Sequence, residues 1–388
     1  MTPKKQDRWV ILVIFMMAHA VNDGFTWLIP PLLPAIRKYF QLSYTEMGAY
    51  YTLFNVFGNI LQAPVAYLVH IAPASVIMVA GLLWLSIGMF LASLSSSYVF
   101  LVWMSAISGI GKSTYHPLAL TLLSRVFGKD SLGRAMALHL SGSSIGHVIV
   151  PFMVGLLVTQ FGWRLPLQIW SVLGLLAGIS LFSFLKRQQE NLPVADKVLR
   201  LPYFSRHLAI FLLAIGIWGI SQSGLMTFLP LFLVDYRGFS MGNAAAVYGI
   251  MSLAGAVFRP ALGALMDRMG RRKPVIIVGF IFAGLSILGL VSFKGQAAVY
   301  LFIILLGTFA SGHSGLSDTL MIEMIPSARR EETLGFILTL RMGIAALSPL
   351  VVGFLSERFG MTHVFLMLSV APIVTALFIS LVEEKPFD

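Results

Sequence analysis

The chain has 388 residues, of which 57% are hydrophobic and only 11% are charged, and it contains no cysteine. Soluble domains carry about 25% charged residues, so this composition excludes an ordinary soluble enzyme. The absence of cysteine excludes disulfides and thiolate metal sites. Most of the net charge of +11 comes from Lys and Arg in the loops between apolar stretches, so it indicates membrane topology rather than nucleic-acid binding.

Apolar stretches long enough to cross a hydrocarbon core of about 30 Å recur along the whole chain. They leave no room for a separate soluble domain, so we expect an all-α polytopic membrane protein with twelve transmembrane helices. The bias of basic loops places both termini on the cytoplasmic side of the cell inner (plasma) membrane, and the first stretch is too long for a cleaved signal peptide. The predicted spans are 9–36, 46–69, 75–95, 98–124, 132–160, 164–185, 207–234, 242–266, 275–293, 297–323, 333–356 and 361–382.

A polar linker at 187–206 divides these spans into an N-terminal bundle of six (1–186) and a C-terminal bundle of six (207–388). The halves resemble each other, since VPFMVGLLVTQFG at 150–162 matches SPLVVGFLSERFG at 348–360 in its spacing of Pro, Val-Gly and Phe-Gly. Two parallel repeats place a shared binding site between the halves, near the bilayer midplane. The sequence therefore predicts two pseudo-symmetric halves around a central site.

The first span carries an imidazole and a carboxylate in an otherwise apolar helix. An ionisable side chain at a helix centre costs about 2.5–3.5 kcal/mol in the membrane, so it needs a function or a partner. His19 and Asp23 are four residues apart and share one helix face. They can bind and release a proton together; the alternative is that Asp23 braces the neighbouring backbone through Asn22. We predict proton coupling at this pair.

The fourth span repeats the spacing with Lys112 and His116, beside Tyr115. Lys112 either bridges to Asp23 or offers its charge to an anionic cargo. Basic side chains outnumber acidic ones within the spans, which favours an anionic or zwitterionic cargo. The predicted substrate-binding residues are Lys112, His116, Arg341, His139, Asn22 and Tyr115.

His139 and Arg341 occupy matching positions of the repeat, on the fifth and eleventh spans. Facing each other, they would form a positive ring suited to a carboxylate or phosphonate. Arg341 can instead pair with Asp318 on the tenth span. Asp318 is then either that partner or a second proton site, and we include it among the predicted proton-coupling residues.

Residues 263–273, GALMDRMGRRK, resemble the loop G-x-x-x-D-R-x-G-R-[RK] of the major facilitator superfamily. With twelve spans and a repeat, the chain resembles that superfamily, which implies its fold and a transporter rather than an enzyme. The resemblance implies a latch in which Asp267 ties neighbouring helices together. His70 replaces this Asp in the first half, so we expect the latch in the second half alone. The predicted gating residues are Asp267, Arg268, Arg271, Arg272 and Arg259.

Three further segments, HAVNDGF at 19–25, GIGKSTYHPLA at 109–119 and the glycine-rich stretch 133–155, resemble the fosmidomycin-resistance branch of drug/proton antiporters. This resemblance implies proton-coupled efflux of a small polar or anionic compound by alternating access, and thus drug resistance. A proton-coupled symporter importing an organic anion stays open. So does a metal-ion transporter, although the charge of Lys112 opposes it. The expected partners are a small molecule, protons and lipid, without cofactor, metal or nucleic acid, and we expect a monomer.

Overall fold

The computed structural model describes residues 5–65, 68–69, 71–185, 202–311, 314–326 and 329–384, and this part of the chain is helical without a β-strand. The all-α fold class is therefore confirmed. A membrane interior supplies no water to the backbone, so each spanning segment satisfies its polar groups within a helix. In the first half the helices are α1 (Lys5–Phe40), α2 (Tyr44–Ile60), α3 (Gln62–Val65), α4 (Ala74–Ser93), α5 (Tyr98–Lys112), α6 (Tyr115–Val126), α7 (Lys129–Phe161) and α8 (Arg164–Leu185).

The described part of the second half contains α9 (Arg206–Arg237), α10 (Met241–Met269), α11 (Lys273–Ser292), α12 (Gln296–Leu306), α13 (Ser314–Glu323), α14 (Arg330–Phe359) and α15 (Met361–Ser380). Serine side chains begin two of these helices, because the hydroxyls of Ser205 and Ser240 accept hydrogen bonds from the free backbone N–H groups of the first turn. Gly270 ends α10 in the left-handed conformation, with φ of 61°. Of the predicted linker at 187–206, only 202–206 belong to the described residues.

Within the described ranges, nine helices are long and apolar enough to cross a membrane. In the remaining three predicted spans, the helices that the described residues form are shorter. Residues 46–69 contain α2 and α3, and residues 98–124 contain α5 and α6. Residues 297–323 contain α12, a π-helical turn at Gly307–Ser311 and α13.

The fourth span breaks between α5 and α6. Pro117, at the start of α6, has no backbone N–H to donate and disfavours a continuous helix. At the break, the Ser113 hydroxyl donates to the Ile110 carbonyl (2.6 Å) and the Thr114 hydroxyl donates to the Gly111 carbonyl (2.9 Å). The same carbonyls also accept the backbone N–H groups of Ser113 and Thr114, so the chain tightens at the break and these groups remain satisfied.

The helices group into two compact units, Met1–Leu42 with Tyr50–Asp196, and Ser43–Ala49 with Lys197–Asp388. In the first unit, α1 packs mainly on α7, and α4 packs on α8 and α5. In the second unit, α9 packs on α14, and α11 packs on α15. In each unit the first span therefore packs on the fifth and the third packs on the sixth. An internal repeat of six spans produces this shared pairing.

Two glycines of α7 bring that helix against α1. A Cβ on Gly142 would overlap the Met16 carbonyl oxygen, and a Cβ on Gly146 would overlap the Ala20 carbonyl oxygen. Small residues at such positions allow the backbones of two membrane helices to approach closely. This approach brings the polar residues of α7 that lie between and beside the glycines against the charged face of α1.

We expect Gly146→Val to lower the stability of the first unit, because the added side chain must push α7 away from the Ala20 carbonyl. Overpacking of this kind costs about 1–3 kcal/mol. Gly133→Val is the matched control, since no described atom lies within 4 Å of a Cβ at that position of α7. Thermal unfolding in detergent measures both variants. Equal melting temperatures would contradict the close α1–α7 contact.

Candidate functional site

Asp23 of α1 lies in the first unit among three histidines. Its Oδ2 is 3.2 Å from Nε2 of His19, and its Oδ1 is 3.0 Å from Nε2 of His116 on α6. Nε2 of His147 on α7 lies 3.9 Å from Oδ2. The Asp23 side chain is only 14% exposed. Residues from three helices, α1, α6 and α7, thus surround one carboxylate.

Two neutral donors complete the surroundings of this carboxylate. The Asn22 amide donates to Oδ1 of Asp23 (3.1 Å), and the Ser143 hydroxyl donates to Oδ2 (2.5 Å). Because Ser143 gives its one proton to Asp23, its oxygen accepts from Nε2 of His147 at 3.0 Å. Donors therefore converge on both oxygens, which is the pattern expected around an ionised carboxylate.

The contact between His19 and Asp23 requires a proton. Nδ1 of His19 donates to the backbone carbonyl of His139 at 3.0 Å, so in a neutral ring Nε2 carries only a lone pair. A lone pair facing a carboxylate oxygen at 3.2 Å repels it. One additional proton between the two atoms removes the repulsion, and imidazole binds a proton more tightly than carboxylate does. An imidazolium at His19 is the protonation state that suits this hydrogen-bond pattern.

Aromatic rings fix the orientation of His19. The ring of His139 stacks on it with centroids 4.4 Å apart, and the ring of Tyr115 lies 5.4 Å away. The Tyr115 hydroxyl donates to the Phe15 carbonyl at 2.5 Å, and both His139 and Tyr115 are buried. The structure thus gives these two predicted substrate-binding residues a packing role beside His19.

Lys112, the last residue of α5, has a different set of partners. Its Nζ donates to Oδ1 of Asn55 (3.2 Å) and Oδ1 of Asn59 (3.3 Å), both on α2, and lies 5.3 Å from the ring centre of Phe54. The side chain is 5% exposed. No described carboxylate forms an ion pair with it, so the bridge to Asp23 that the sequence allowed is not formed. Lys112 is a buried cation with neutral partners.

In the second unit, Arg341 of α14 pairs with Asp318 of α13, with Nη1 and Oδ1 2.6 Å apart. The two side chains are 25% and 36% exposed. Of the two roles that the sequence allowed for Asp318, the structure thus shows the ion-pair partner. The facing of Arg341 and His139 stays a prediction, because the two residues belong to different units.

The structure gives the predicted latch different contacts. Asp267, in the last turn of α10, is exposed, and its carboxylate has no partner in the described part of the chain. Arg272 instead pairs with Glu323 of α13, and the Glu384 carboxylate accepts the backbone N–H groups of Arg272 and Lys273. The other predicted gating residues, Arg259, Arg268 and Arg271, have exposed side chains. His70 lies outside the described residues.

The arrangement around Asp23 can bind a proton, and its donor atoms also suit a metal. His19, Asp23 and His116 each offer one atom, and these atoms lie within 4.8 Å of one another. Two imidazoles and a carboxylate are chemically suited to a divalent transition metal. The positive charge of Lys112 in the same unit opposes a second cation, as the sequence suggested.

Sequence reasoning missed several residues that touch these groups. Asn55 and Asn59 are four apart on an apolar helix, which is the same spacing that identified His19 and Asp23, but neither carries a charge that marks it as costly to bury. Ser143 is one of several serines in α7, and nothing in the sequence distinguishes it as the one that contacts Asp23. Glu323 and Glu384 lie far from Arg272 in the sequence, so their pairing required the fold.

A family model described as the Major Facilitator Superfamily matches residues 15–342 and 247–388. The chain belongs to this superfamily. It is therefore a multi-pass membrane protein and a secondary transporter of small molecules rather than an enzyme.

Several relatives and solved structures are similar to the chain, and three of them illustrate the range. The nitrite extrusion protein of Bacillus subtilis strain 168 is 25% identical over 279 residues, covering 71% of this chain and 69% of the relative. The fosmidomycin resistance protein of Escherichia coli strain K12 is 22% identical over 278 residues, covering 70% of this chain and 68% of the relative. An inward-facing, occupied bacterial homologue of the human lysosomal transporter Spinster matches with a TM-score of 0.86 at 16% identity, covering 98% of this chain and 97% of that chain. The resemblance predicted from the motifs is confirmed at low identity, and the solved structure shows the fold alone.

Asp318→Asn leaves the Arg341 guanidinium without its ion-pair partner, whereas the double variant Asp318→Asn, Arg341→Gln removes both charges. We therefore expect a coupling energy between the two positions, of about 0.5–1 kcal/mol because both side chains are partly exposed. Asp267→Asn is the control, since that carboxylate has no described partner, and it should leave stability unchanged. Thermal unfolding of the wild type, Asp318→Asn, Arg341→Gln and the double variant gives the coupling energy, and strictly additive effects would contradict the ion pair.

Proposed function

We propose that the chain is a proton-coupled transporter of a small anion, and that the His19–Asp23 contact binds the transported proton. The observation that carries this proposal is the geometry of that contact, in which an Nε2 lone pair and a carboxylate oxygen 3.2 Å apart need one proton between them. His116 links the buried pair to a more exposed position, because its side chain is 35% exposed. The proton therefore has a neighbouring imidazole through which it can enter and leave.

The charges of the first unit connect this proton to an anion. With the proton bound, His19 and Asp23 together are neutral, and the buried charge of Lys112 is uncompensated by a direct partner. When the proton leaves, the Asp23 carboxylate acts electrostatically on Lys112 without a second cation beside it. The first unit is thus more positive when it holds the proton. An anion binds more favourably in that state, and by linkage the anion in turn favours proton binding.

This linkage bears on the direction of coupling. Two ligands that favour each other's binding cross the membrane together, so for an anionic cargo the charges support symport. The sequence offered symport as the alternative to efflux by antiport, and antiport requires a cargo that competes with the proton. The names of the nitrite extrusion and fosmidomycin resistance relatives support a small anionic or polar cargo moving outward. A symporter runs outward when the cargo gradient exceeds the opposing proton gradient.

The bias of Lys and Arg in the loops supports a location in the plasma membrane with both termini cytoplasmic. The predicted alternating access, with the linker 187–206 on the cytoplasmic side, remains part of this proposal. The charges of His19, Asp23 and Lys112 do not depend on which side of the membrane the carrier opens to. The anion and the proton therefore favour each other's binding in either orientation of the carrier.

Asp23→Asn should abolish proton movement, because the amide cannot form the proton-sharing contact with His19. The test uses proteoliposomes that contain a pH-sensitive dye, with EDTA present to remove metal ions and with nitrite or formate added outside. The uncoupled permeation of the protonated acids is subtracted with protein-free vesicles. We expect wild-type protein to acidify the lumen, and Asp23→Asn to reduce this rate at least tenfold.

Asp318→Asn is the matched control, because it removes a carboxylate that an arginine already neutralises in the second unit. It should retain proton-linked transport. Alkalinisation by the wild type would show antiport and overturn symport. Undiminished acidification by Asp23→Asn would show that another group binds the transported proton.

A further inference from the structure

We infer that Lys112, Asn55 and Asn59 form a binding subsite in the first unit for a compact oxyanion with a single negative charge. The inference deepens the proposed function, because it assigns the anion to particular side chains. Its starting point is that a buried ammonium has only neutral partners among the described residues. Burying a charge without a counter-charge is costly, so the arrangement favours any small anion that can reach it.

The hydrogen bonds leave donors free for such an anion. The Asn55 amide nitrogen donates to the Tyr51 carbonyl at 2.9 Å, so its oxygen is the atom that accepts from Lys112. The ammonium gives two of its three N–H groups to Asn55 and Asn59. Within the described part of the chain, its third N–H and the Asn59 amide nitrogen have no hydrogen-bond partner. These unpaired donors belong to adjacent groups.

The backbone around the lysine keeps its charge in place. A Cβ on Gly58 would lie 2.9 Å from Cδ of Lys112, and a Cβ on Gly109 would lie 2.6 Å from the Phe54 carbonyl oxygen. The stem of Lys112 therefore lies against Gly58, where α2 and α5 approach closely. Asn59, on the same helix, is half-buried rather than fully enclosed, so its amide is the more accessible of the two free donors.

These donors define the chemical class of the ligand. One ammonium balances one negative charge, and the amide adds a neutral donor, so a carboxylate, nitrite or nitrate ion matches the set. Charge-assisted hydrogen bonds to an oxyanion are short and strong. A doubly charged ion such as sulfate would keep one buried charge uncompensated, and a cation would be repelled. The subsite is separate from the histidines around Asp23, because Lys112 contacts none of them directly.

The competing explanation is that Lys112 only ties α5 to α2. Asn59→Asp separates the two explanations, because the new carboxylate would pair with Lys112 and occupy the subsite permanently. The contact between α5 and α2 would become stronger, whereas anion binding would be lost. Gln62→Glu is the matched control, since it adds the same charge one turn away, where the native side chain bonds to the Gly58 carbonyl and not to Lys112. Asn59→Leu removes the amide without adding charge.

The experiment measures binding of nitrite, nitrate, formate and sulfate to purified protein in detergent, by calorimetry and thermal shift at constant ionic strength. We expect saturable binding of the monovalent ions to wild type and Gln62→Glu, at least tenfold weaker binding of sulfate, and at least tenfold weaker binding to Asn59→Asp, Asn59→Leu and Lys112→Met. Equal shifts in all variants, or no saturable binding to wild type, would overturn the subsite.

This measurement is independent of proton coupling. Asp23→Asn should still bind the monovalent ions, since its amide leaves Lys112 uncompensated. If binding follows the pattern above but liposomes show no proton movement, the subsite stands and the proposed coupling fails. If liposomes acidify while binding does not depend on Asn59 or Lys112, the coupling stands and the subsite is wrong.

Discussion

An imidazole that donates through one ring nitrogen to a backbone carbonyl needs an added proton to bond through its other nitrogen to a carboxylate, and the proposed function of the first unit depends on that constraint. His19 is fixed from one side by the His139 carbonyl, and its other nitrogen is aimed at Asp23. The close packing of α1 on α7 presents Ser143 to the same carboxylate. The helix contacts that stabilise the fold therefore also set the geometry of the proposed proton site, so a change in this packing should also change the proposed function.

The two units handle charge differently within their described parts. In the second unit, Arg341 pairs with Asp318 and Arg272 pairs with Glu323. Each of these pairs has no net charge, so the electrostatic free energy gained by binding a further ion there is small. In the first unit, the charge of Lys112 faces amides instead of a carboxylate, and the proposed proton changes the net charge of the His19–Asp23 pair. Ions are thus expected to bind in the first unit, while the second contributes closed ion pairs.

Much of the fold could be predicted from the sequence. The length of each apolar stretch and the similarity between the two halves can both be read directly from the order of the residues. The His19–Asp23 contact could also be predicted, since four residues along an unbroken helix bring side chains together. The same rule failed for Lys112 and His116. Between them the fourth span breaks, so Lys112 bonds to α2 while His116 contacts Asp23. Pro117 marks the break in the sequence, but the partners that each side chain meets depend on how the helices pack.

The most direct test of the account is the protonation state of His19, measured by nitrogen NMR of protein with ¹⁵N-labelled histidine in lipid nanodiscs. His19→Gln assigns the signal by its disappearance. The account predicts an imidazolium with both ring nitrogens protonated at neutral pH, which becomes a neutral ring in Asp23→Asn. A neutral ring with an unprotonated Nε2 in the wild type across about pH 5 to 8, unaffected by Asp23→Asn, would contradict it.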